Sequence, residues 1–202
     1  MRVPTDGEIL ALHEKHAPTA RALDEVYTHC EIVGRIAGQL MGQGFPGVDA
    51  IDADLVRAGC LLHDVGVYRL YDEAGRLDHA SYIRHGVMGH DLLAAEGLAE
   101  EICRFASCHT GVGISRDDVI RQGLPLPVAD YTARTAEETL VMYADKFHTK
   151  ASPPRFLTPE EYAASVRQFG EDKVVAFKAM RARFGDPDLT ALSDAYGQGV
   201  RR

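Results

Sequence analysis

Apolar residues recur at three- and four-residue spacing through most of this chain, whereas alternating runs rich in Val, Ile and Thr are short or absent. A spacing of three to four places apolar side chains on one face of an α-helix, while a half-buried strand needs a two-residue period. The sequence therefore predicts an all-α fold. With 202 residues, of which 46% are hydrophobic, the chain is long enough for one globular domain with a substantial core.

Residues that begin or end helices give approximate bounds. Pro18 and Thr19 separate the first two helices, because a proline restricts the residue before it and Thr is a good N-cap. The predicted helices cover about 7–15, 20–43, 53–64, 87–96, 100–107, 135–145 and 158–184. We expect a turn or short hairpin over 68–77, a loop with one short helix over 113–133 that could act as a lid, and a weakly structured tail beyond Gly185.

His63 and Asp64 stand inside the apolar run Cys60–Val67, close to a predicted helix end. A charged carboxylate in a buried wall is costly unless a cation or strong hydrogen-bond donors satisfy it. The pair therefore indicates a metal site. Taken alone, it leaves two other interpretations open, a chance dipeptide or a capping role for Asp64 near Gly66.

Other metal-binding side chains also lie on, or at the ends of, apolar helices: His29, His85, His109 and Asp145. His29 shares a helix face with Val26 and Val33, so its imidazole faces inward and needs a partner. Imidazole and carboxylate ligands suit iron, manganese, zinc and other divalent ions, and the absence of cysteine ligands argues against a closed structural zinc site. The set predicts a metal centre assembled from several helices.

Composition narrows the partners and the location. A formal net charge of −8 argues against a protein that binds a nucleic-acid polymer by a broad basic face. The N-terminus has no signal-peptide pattern and no apolar run could cross a bilayer, so we expect a cytoplasmic protein without a membrane partner. The four cysteines form no Cys-x-x-Cys pair, which favours reduced core thiols. A homodimer is left open by the sequence.

These segments together resemble the HD-domain superfamily of metal-dependent phosphohydrolases. The matching pieces are Thr28-His29-Cys30, Leu61-Leu62-His63-Asp64-Val65-Gly66, His85-Gly86-Val87-Met88-Gly89, His109-Thr110-Gly111 and Tyr143-Ala144-Asp145-Lys146. Within the superfamily, the last two pieces are similar to the branch that includes symmetrical diadenosine tetraphosphate hydrolases. The resemblance implies a single globular HD-domain helical bundle over 1–202, with an HD core over about 22–150 and an additional C-terminal helix over about 158–184.

The resemblance also implies how the side chains would divide between two divalent ions. The first ion would be held by His29, His63, Asp64 and Asp145. His85 and His109 would extend the site to a second ion bridged by Asp64, which is also the expected catalytic residue. Iron or manganese is favoured as the cofactor, with zinc, nickel, cobalt and magnesium as alternatives.

Substrate contacts are less closely tied to the family pattern. Val67 stands where many HD proteins carry a lysine after the His-Asp-x-Gly motif, and 147–150 intervene before Pro153-Pro154-Arg155. Lys146 and Arg155 are candidate phosphate-binding residues, since an ammonium and a guanidinium both bind phosphate oxygens. The alternatives without a role in binding are that Lys146 stabilises a helix C-terminus and that Arg155 lies in a surface loop.

The resulting prediction is a metal-dependent phosphoric ester or anhydride hydrolase. We expect a phosphohydrolase or phosphodiesterase that cleaves a small phosphorylated substrate, with nucleotides as the leading class, by a metal-activated hydroxide. A di-iron oxygenase on the same scaffold and a ligand-binding module with a vestigial site are the alternatives. An intact set of six ligands argues against the vestigial module.

Overall fold

The computed structural model describes residues 1–201, and α-helices form most of this part of the chain, which confirms the predicted all-α class. The helices are α1 (Asp6–His16), α2 (Ala20–Gln43), α3 (Ala53–Leu62), α4 (His85–Ala95), α5 (Glu100–Cys108), α6 (Arg116–Gln122), α7 (Ala136–Ala144), α8 (Pro159–Val166), α9 (Glu171–Phe184) and α10 (Leu189–Tyr196). Three short strands make a small sheet: β1 (His148–Thr149), β2 (Arg155–Leu157) and β3 (Val200–Arg201).

Helix α2 is the central element, because it contributes to both clusters of the hydrophobic core. Its first part, up to Cys30, belongs to one cluster together with residues of α1, α3, α4 and α5. From Ile32 onward it belongs to a second cluster that includes residues of α7, α9 and α10, and Phe177 and Phe184 are almost fully buried there. His29 therefore lies on α2 where one core cluster gives way to the other.

A close backbone contact brings the segment after α3 against the start of α4. A Cβ atom built on Gly66 would lie 2.0 Å from the carbonyl oxygen of His85 and 2.3 Å from the backbone nitrogen of Gly89. Only a residue without a side chain fits there. Since Gly66 belongs to the 3₁₀ segment Val65–Leu70, this contact places Asp64 beside His85.

The C-terminal part of the chain differs from the prediction. The expected helix over 158–184 is two helices, α8 and α9, separated by a 3₁₀ turn and by Gly170 at φ 135°. The expected weak structure beyond Gly185 is wrong, because this tail contains α10 and β3. Leu189 and Leu192 of α10 are buried in the core.

The small sheet joins this tail to the segment that follows α7. Strand β1 pairs antiparallel with β2, and β2 pairs parallel with β3. The backbone N–H of Phe156 donates a hydrogen bond to the carbonyl of Gly199 at 2.9 Å. A local pattern of apolar residues does not predict strand pairing over such a distance in the sequence.

Two loop predictions are confirmed in outline. Residues 68–77 contain a turn closed by an isolated bridge between Tyr71 and Leu77. Residues 113–133 contain one short helix, α6, and Lys173 of α9 ties this segment down through the Asp118 carboxylate and the carbonyl of Gly113. Within residues 1–201, no helix is both long and apolar enough to cross a membrane.

Candidate metal centre

Six side chains from five helices and their ends converge on one buried point. His29 lies within α2, His63 and Asp64 follow the last residue of α3, and the remaining members come from the start of α4 and the ends of α5 and α7: His85, His109 and Asp145. The four histidines and Asp64 are buried, and the side chain of Asp145 is 15% exposed. The structure therefore brings together every side chain of the predicted ligand set.

The two carboxylate oxygens of Asp64 face different pairs of histidines. Oδ2 lies 3.3 Å from Nε2 of His29 and 3.6 Å from Nε2 of His63. Oδ1 lies 3.4 Å from Nε2 of His85 and 3.4 Å from Nε2 of His109. One carboxylate with a pair of imidazoles on each oxygen is the arrangement that a bridge between two cations needs.

Asp145 closes the first of these two groups. Its Oδ1 lies 3.0 Å from Nε2 of His29 and 3.4 Å from Nε2 of His63. Ligand atoms of His29, His63 and Asp145 lie within 4.8 Å of one another, as do those of His63, Asp64 and His109. Two overlapping sets of three donors of this kind fit divalent cations that accept nitrogen and oxygen ligands.

Three of the histidines have their ring orientation fixed by a backbone carbonyl. A carbonyl oxygen only accepts, so the Nδ1 atom carries the hydrogen and Nε2 presents a free lone pair to the centre. The Nδ1 contacts are His63 to Cys60 O at 2.7 Å, His85 to Tyr82 O at 2.6 Å and His109 to Phe105 O at 3.1 Å. Histidines that hold a metal through Nε2 have this same outer hydrogen bond.

The Nε2 atoms of the histidines lie close together in pairs. His85 Nε2 lies 3.0 Å from His109 Nε2, and His29 Nε2 lies 3.2 Å from His63 Nε2. Two bare lone pairs at this separation repel each other. A proton or a metal ion removes the repulsion, and the Asp64 carboxylate raises the pKa of His63 above its ordinary value although burial opposes the shift. The His/Asp cluster thus fits a metal site.

Burial and neighbouring charges set the remaining protonation states. Burial lowers the pKa of His29 to about 3 and that of His85 to about 4, so both imidazoles are neutral near neutral pH. Burial opposes ionisation of the two carboxyls as well. The ammonium groups of Lys150 and Lys146 nevertheless hold the pKa values of Asp64 and Asp145, respectively, well below the usual range.

Two lysines supply positive charge at the open side of the centre. Lys146 donates to Asp145 Oδ2 at 2.6 Å and to the carbonyl of His109 at 2.9 Å. Lys150 donates to Asp64 Oδ2, and its Nζ lies 6.0 Å from the centre of the Tyr82 ring. Lys146 was a sequence candidate, whereas sequence reasoning noted Lys150 only as part of a departure from the family pattern.

The centre opens into a cleft of about 470 Å³. Its walls include both lysines together with Tyr71, Tyr82 and Tyr162. Arg155, the other predicted phosphate-binding residue, lies on β2 and does not line this cleft in the part of the chain that the structure describes. A role for Arg155 in phosphate binding therefore stays a prediction without support from its position.

His148 is the second such residue near the centre: its sequence context predicts no ligand role, although it leaves open an approach to the site. It is buried, and its ring stacks on that of His29 with ring centres 5.1 Å apart. Its Nδ1 lies 2.8 Å from Nδ1 of His29. The available signal was its position three residues after Asp145, but that spacing alone does not distinguish a contact with the centre from a loop residue.

Comparison with protein families gives a match that spans the whole candidate centre. The family model described as HD domain matches residues 26–150. This range contains all six side chains of the centre and also Lys146, His148 and Lys150.

Similar proteins come from archaea. An uncharacterized protein of Methanocaldococcus jannaschii is 35% identical over 133 residues, which is 63% of this chain and 69% of the relative. A tRNA (cytidine(56)-2'-O)-methyltransferase of Picrophilus torridus is 34% identical over 124 residues, which is 60% of this chain and 31% of the methyltransferase. Because the match spans less than a third of that enzyme, methyl transfer is not carried over to this chain.

Among solved structures, the HD domain of the L. monocytogenes phosphodiesterase PgpH has a similar fold. The TM-score is 0.54 with 16% sequence identity, and the superposition covers 93% of this chain and 98% of the other. The same domain in complex with cyclic-di-AMP also matches with a TM-score of 0.54, over 96% of this chain and all of the other. At this level of identity the likeness shows a shared fold. It does not extend to the substrate.

Proposed function

Since this chain belongs to the HD domain family, we propose that it is a metal-dependent phosphohydrolase that acts on a small phosphorylated substrate. The observation that carries the proposal is the placement of Asp64, whose two oxygens each face a separate pair of imidazoles. We assign one divalent ion to the side of His29, His63 and Asp145, and a second to the side of His85 and His109. Asp64 would lie between the two ions, with one oxygen towards each.

Two lysines of this chain would stabilise the negative charge of the phosphoryl group during the reaction. When bound, two divalent ions in such a centre polarise a phosphoryl oxygen and make water a better nucleophile at neutral pH. Lys150 and Lys146 place ammonium groups beside the two carboxylates, where the negative charge of a phosphate would enter. Positive groups that are already in position stabilise the charge that builds up on phosphoryl oxygens. Lys150 would thus provide the positive charge that many HD proteins obtain from a lysine at the position of Val67.

The cleft favours a substrate of nucleotide size. Its volume of about 470 Å³ lies within the range of small-molecule sites, roughly 300–1,000 Å³. Aromatic walls from Tyr71, Tyr82 and Tyr162 suit a flat ring, since offset or edge-on ring contacts are favourable. The PgpH domain of similar fold was crystallised with cyclic-di-AMP, so cyclic dinucleotides belong in the first panel of substrates.

The same set of ligands would also accept iron for oxygen chemistry. The two ammonium groups beside the carboxylates suit the anionic phosphate ester that hydrolysis requires. Iron and manganese stay the leading metals. A cytoplasmic location and a homodimer stay predictions.

The proposal is tested by metal analysis and hydrolysis assays on the same protein. The protein is expressed with manganese or iron supplied, its metals are counted, and a panel of phosphate monoesters, nucleotides and cyclic dinucleotides is assayed. We expect release of phosphate or of a nucleoside phosphate that stops on chelation. Asp64→Asn should lower kcat by about a thousand-fold, since loss of metal stabilisation is worth several kcal/mol.

Asp54→Asn is the matched control, because the side chain of Asp54 is 83% exposed on α3. It should retain the metal content and the activity of the wild type. Full activity in Asp64→Asn would contradict the mechanism. Consumption of dioxygen by an iron-loaded protein that hydrolyses no phosphate ester would replace the proposal with the oxygenase.

A further inference from the structure

A hydrogen-bonded chain runs from the C-terminal segment to one of the candidate ligands. Nε2 of His148 lies 2.6 Å from the side-chain oxygen Oε1 of Gln198, 50 positions further along the sequence. Nδ1 of His148 lies 2.8 Å from Nδ1 of His29, and Nε2 of His29 points at Asp145 and His63. His29 thus differs from the other three histidines, whose Nδ1 atoms meet backbone carbonyls.

The direction of each hydrogen bond in this series follows from its first acceptor, the side-chain oxygen of Gln198. Oε1 of Gln198 can only accept, so Nε2 of His148 carries the hydrogen. His148 is buried, and a neutral imidazole carries a single hydrogen, so its Nδ1 is an acceptor. His29 must then donate from Nδ1, which leaves the lone pair on Nε2 facing the centre.

A backbone carbonyl fixes the tautomer of a histidine because its oxygen can only accept a hydrogen bond. A second imidazole alone does not fix it. An imidazole can donate or accept at Nδ1, and its own tautomer decides which. Without an acceptor at its Nε2, His148 could donate from Nδ1 to His29, and His29 would then carry its hydrogen on Nε2. A ring with hydrogen on Nε2 cannot bind a cation through that atom.

Gln198 is held in place by its own backbone. Its N–H donates to the carbonyl of Ser193 at 3.1 Å, and the Ser193 hydroxyl donates to the carbonyl of Gln198 at 2.5 Å. Phe156 of β2 then binds the carbonyl of Gly199. Helix α10 and strand β3 therefore fix the side chain that faces His148.

We propose that Gln198, acting through His148, is a positioning residue that fixes the tautomer of His29 and thereby sets the metal affinity of the centre. This inference rests on the proposed function in taking His29 as a metal ligand. It assigns a role to a residue beyond residues 26–150, the range that matches the family model. The segment α10–β3 is then part of the metal centre rather than a structural appendage.

The test compares two substitutions of the same side chain. Gln198→Met keeps the length and removes the acceptor, and Gln198→Glu keeps an acceptor. Metal-free proteins are titrated with Mn²⁺ and followed by electron paramagnetic resonance. We expect Gln198→Met to weaken Mn²⁺ binding by about ten- to a hundred-fold, the usual effect of losing an outer hydrogen bond to a ligand, and Gln198→Glu to restore it.

A second measurement reads the tautomer without any metal. Nitrogen chemical shifts of ¹⁵N-histidine-labelled, metal-free protein report which ring nitrogen of His29 carries hydrogen. The wild type and Gln198→Glu should show hydrogen on Nδ1, and Gln198→Met should show a mixture of tautomers. If Gln198→Met does not fold, Gln198→Ala removes the same acceptor and replaces it in both measurements.

Gln43→Leu is the matched control for the C-terminal segment. Gln43 is exposed, and its side-chain amide donates to the carbonyl of Asp186 at 3.0 Å without any link to a histidine. It should leave both readouts unchanged. Unchanged Mn²⁺ affinity and an unchanged His29 tautomer in Gln198→Met would overturn the inference.

The two measurements separate this inference from the proposed function. A wild type that takes up no Mn²⁺, iron or other divalent ion would contradict the proposed function, while the tautomer in metal-free protein would still decide the role of Gln198. Uptake of metal with equal affinity in all variants would overturn the inference and leave the proposed function standing.

Discussion

Lys150 donates a hydrogen bond to Oδ2 of Asp64, although the two residues are 86 positions apart in the sequence. The side chain of Lys150 is 19% exposed and that of Asp64 is 2% exposed, so the ammonium lies between the buried carboxylate and the cleft. Burial opposes the charged form of Lys150, but the Asp64 carboxylate raises the pKa of Lys150 above its ordinary value, so the ammonium stays charged. A permanent positive charge at this position suits a phosphate group.

Replacing Lys150 should weaken substrate binding without emptying the metal centre. A hydrogen bond to a charged group is worth roughly 1.5–3 kcal/mol, so Lys150→Ala should raise KM for the phosphorylated substrate by about ten- to a hundred-fold. The number of metal ions per chain should not change, because Lys150 is not a ligand. Steady-state kinetics and elemental analysis of the same preparation check both parts.

Lys178→Ala is the control for this prediction, since Lys178 is exposed on α9. Its KM should equal that of the wild type. An unchanged KM in Lys150→Ala would show that phosphate binds elsewhere in the cleft.

His109→Ala should remove one metal ion and leave the other. His109 and His85 face Oδ1 of Asp64, whereas His29 and Asp145 lie on the side of Oδ2. Elemental analysis should therefore give two ions per chain in the wild type and one in the variant, with hydrolysis reduced by about a hundred-fold or more.

His90→Ala controls for the loss of any histidine on the same side of the molecule. His90 lies on α4 but bonds to Glu100 at 3.0 Å, away from the centre. It should keep two ions. One ion in both the wild type and His109→Ala would mean a mononuclear centre without His85 and His109.

The members of the candidate metal centre could be nominated from the sequence because each one is a metal-binding side chain within or at the end of an apolar helical pattern. His29 lies on the buried face of α2, and Asp64 stands in an apolar run at the end of α3. A metal-binding side chain in such a position needs a partner, and its chemistry limits which partner it takes. Residue type and helical spacing thus nominated these positions, and the family resemblance supplied their division between two ions.

Lys150, His148 and Gln198 could not be predicted in the same way. Their positions depend on the pairing of β1, β2 and β3, which are strands of two or three residues, and β3 is far from the other two in the sequence. A strand of this length has no measurable two-residue pattern, and α10 has only two buried leucines to distinguish it from a loop. Contacts that arise from such pairing require the three-dimensional structure.

Gly66→Ala should disrupt the fold around the metal centre. The added Cβ would lie 2.0 Å from the carbonyl oxygen of His85, which belongs to the backbone and cannot rotate away. Separation of the two segments should cost about 3 kcal/mol or more of unfolding free energy and move Asp64 away from His85. Urea denaturation and metal counting check the two effects.

Gly38→Ala is the matched control, because Gly38 lies in α2 with no atom within 4 Å of an added Cβ. It should leave the metal count unchanged and stabilise the protein by about 0.5 kcal/mol. A Gly66→Ala protein with wild-type stability and two metal ions would contradict the close packing of these segments.

His13 should make the stability of the fold depend on pH. Its Nε2–H donates to the carbonyl of Leu61 at 2.7 Å and its Nδ1 accepts from the Tyr68 hydroxyl at 2.7 Å, so the folded protein holds it neutral. Burial lowers its pKa from 6.5 to about 4. The unfolded chain therefore binds more protons than the folded one between these values, and the stabilising contribution is complete above pH 6.5 and is lost as the pH falls towards 4.

The variant His13→Gln lacks this titration, so its deficit in unfolding free energy relative to the wild type should shrink by up to about 3 kcal/mol as the pH falls from about 7 to about 4. Urea denaturation of the two metal-free proteins along this pH range measures the difference, and titration of the other groups cancels in it. His79→Gln, at an exposed histidine, should show no such change. A deficit for His13→Gln that is the same at every pH would mean that the folded protein accommodates a charged His13.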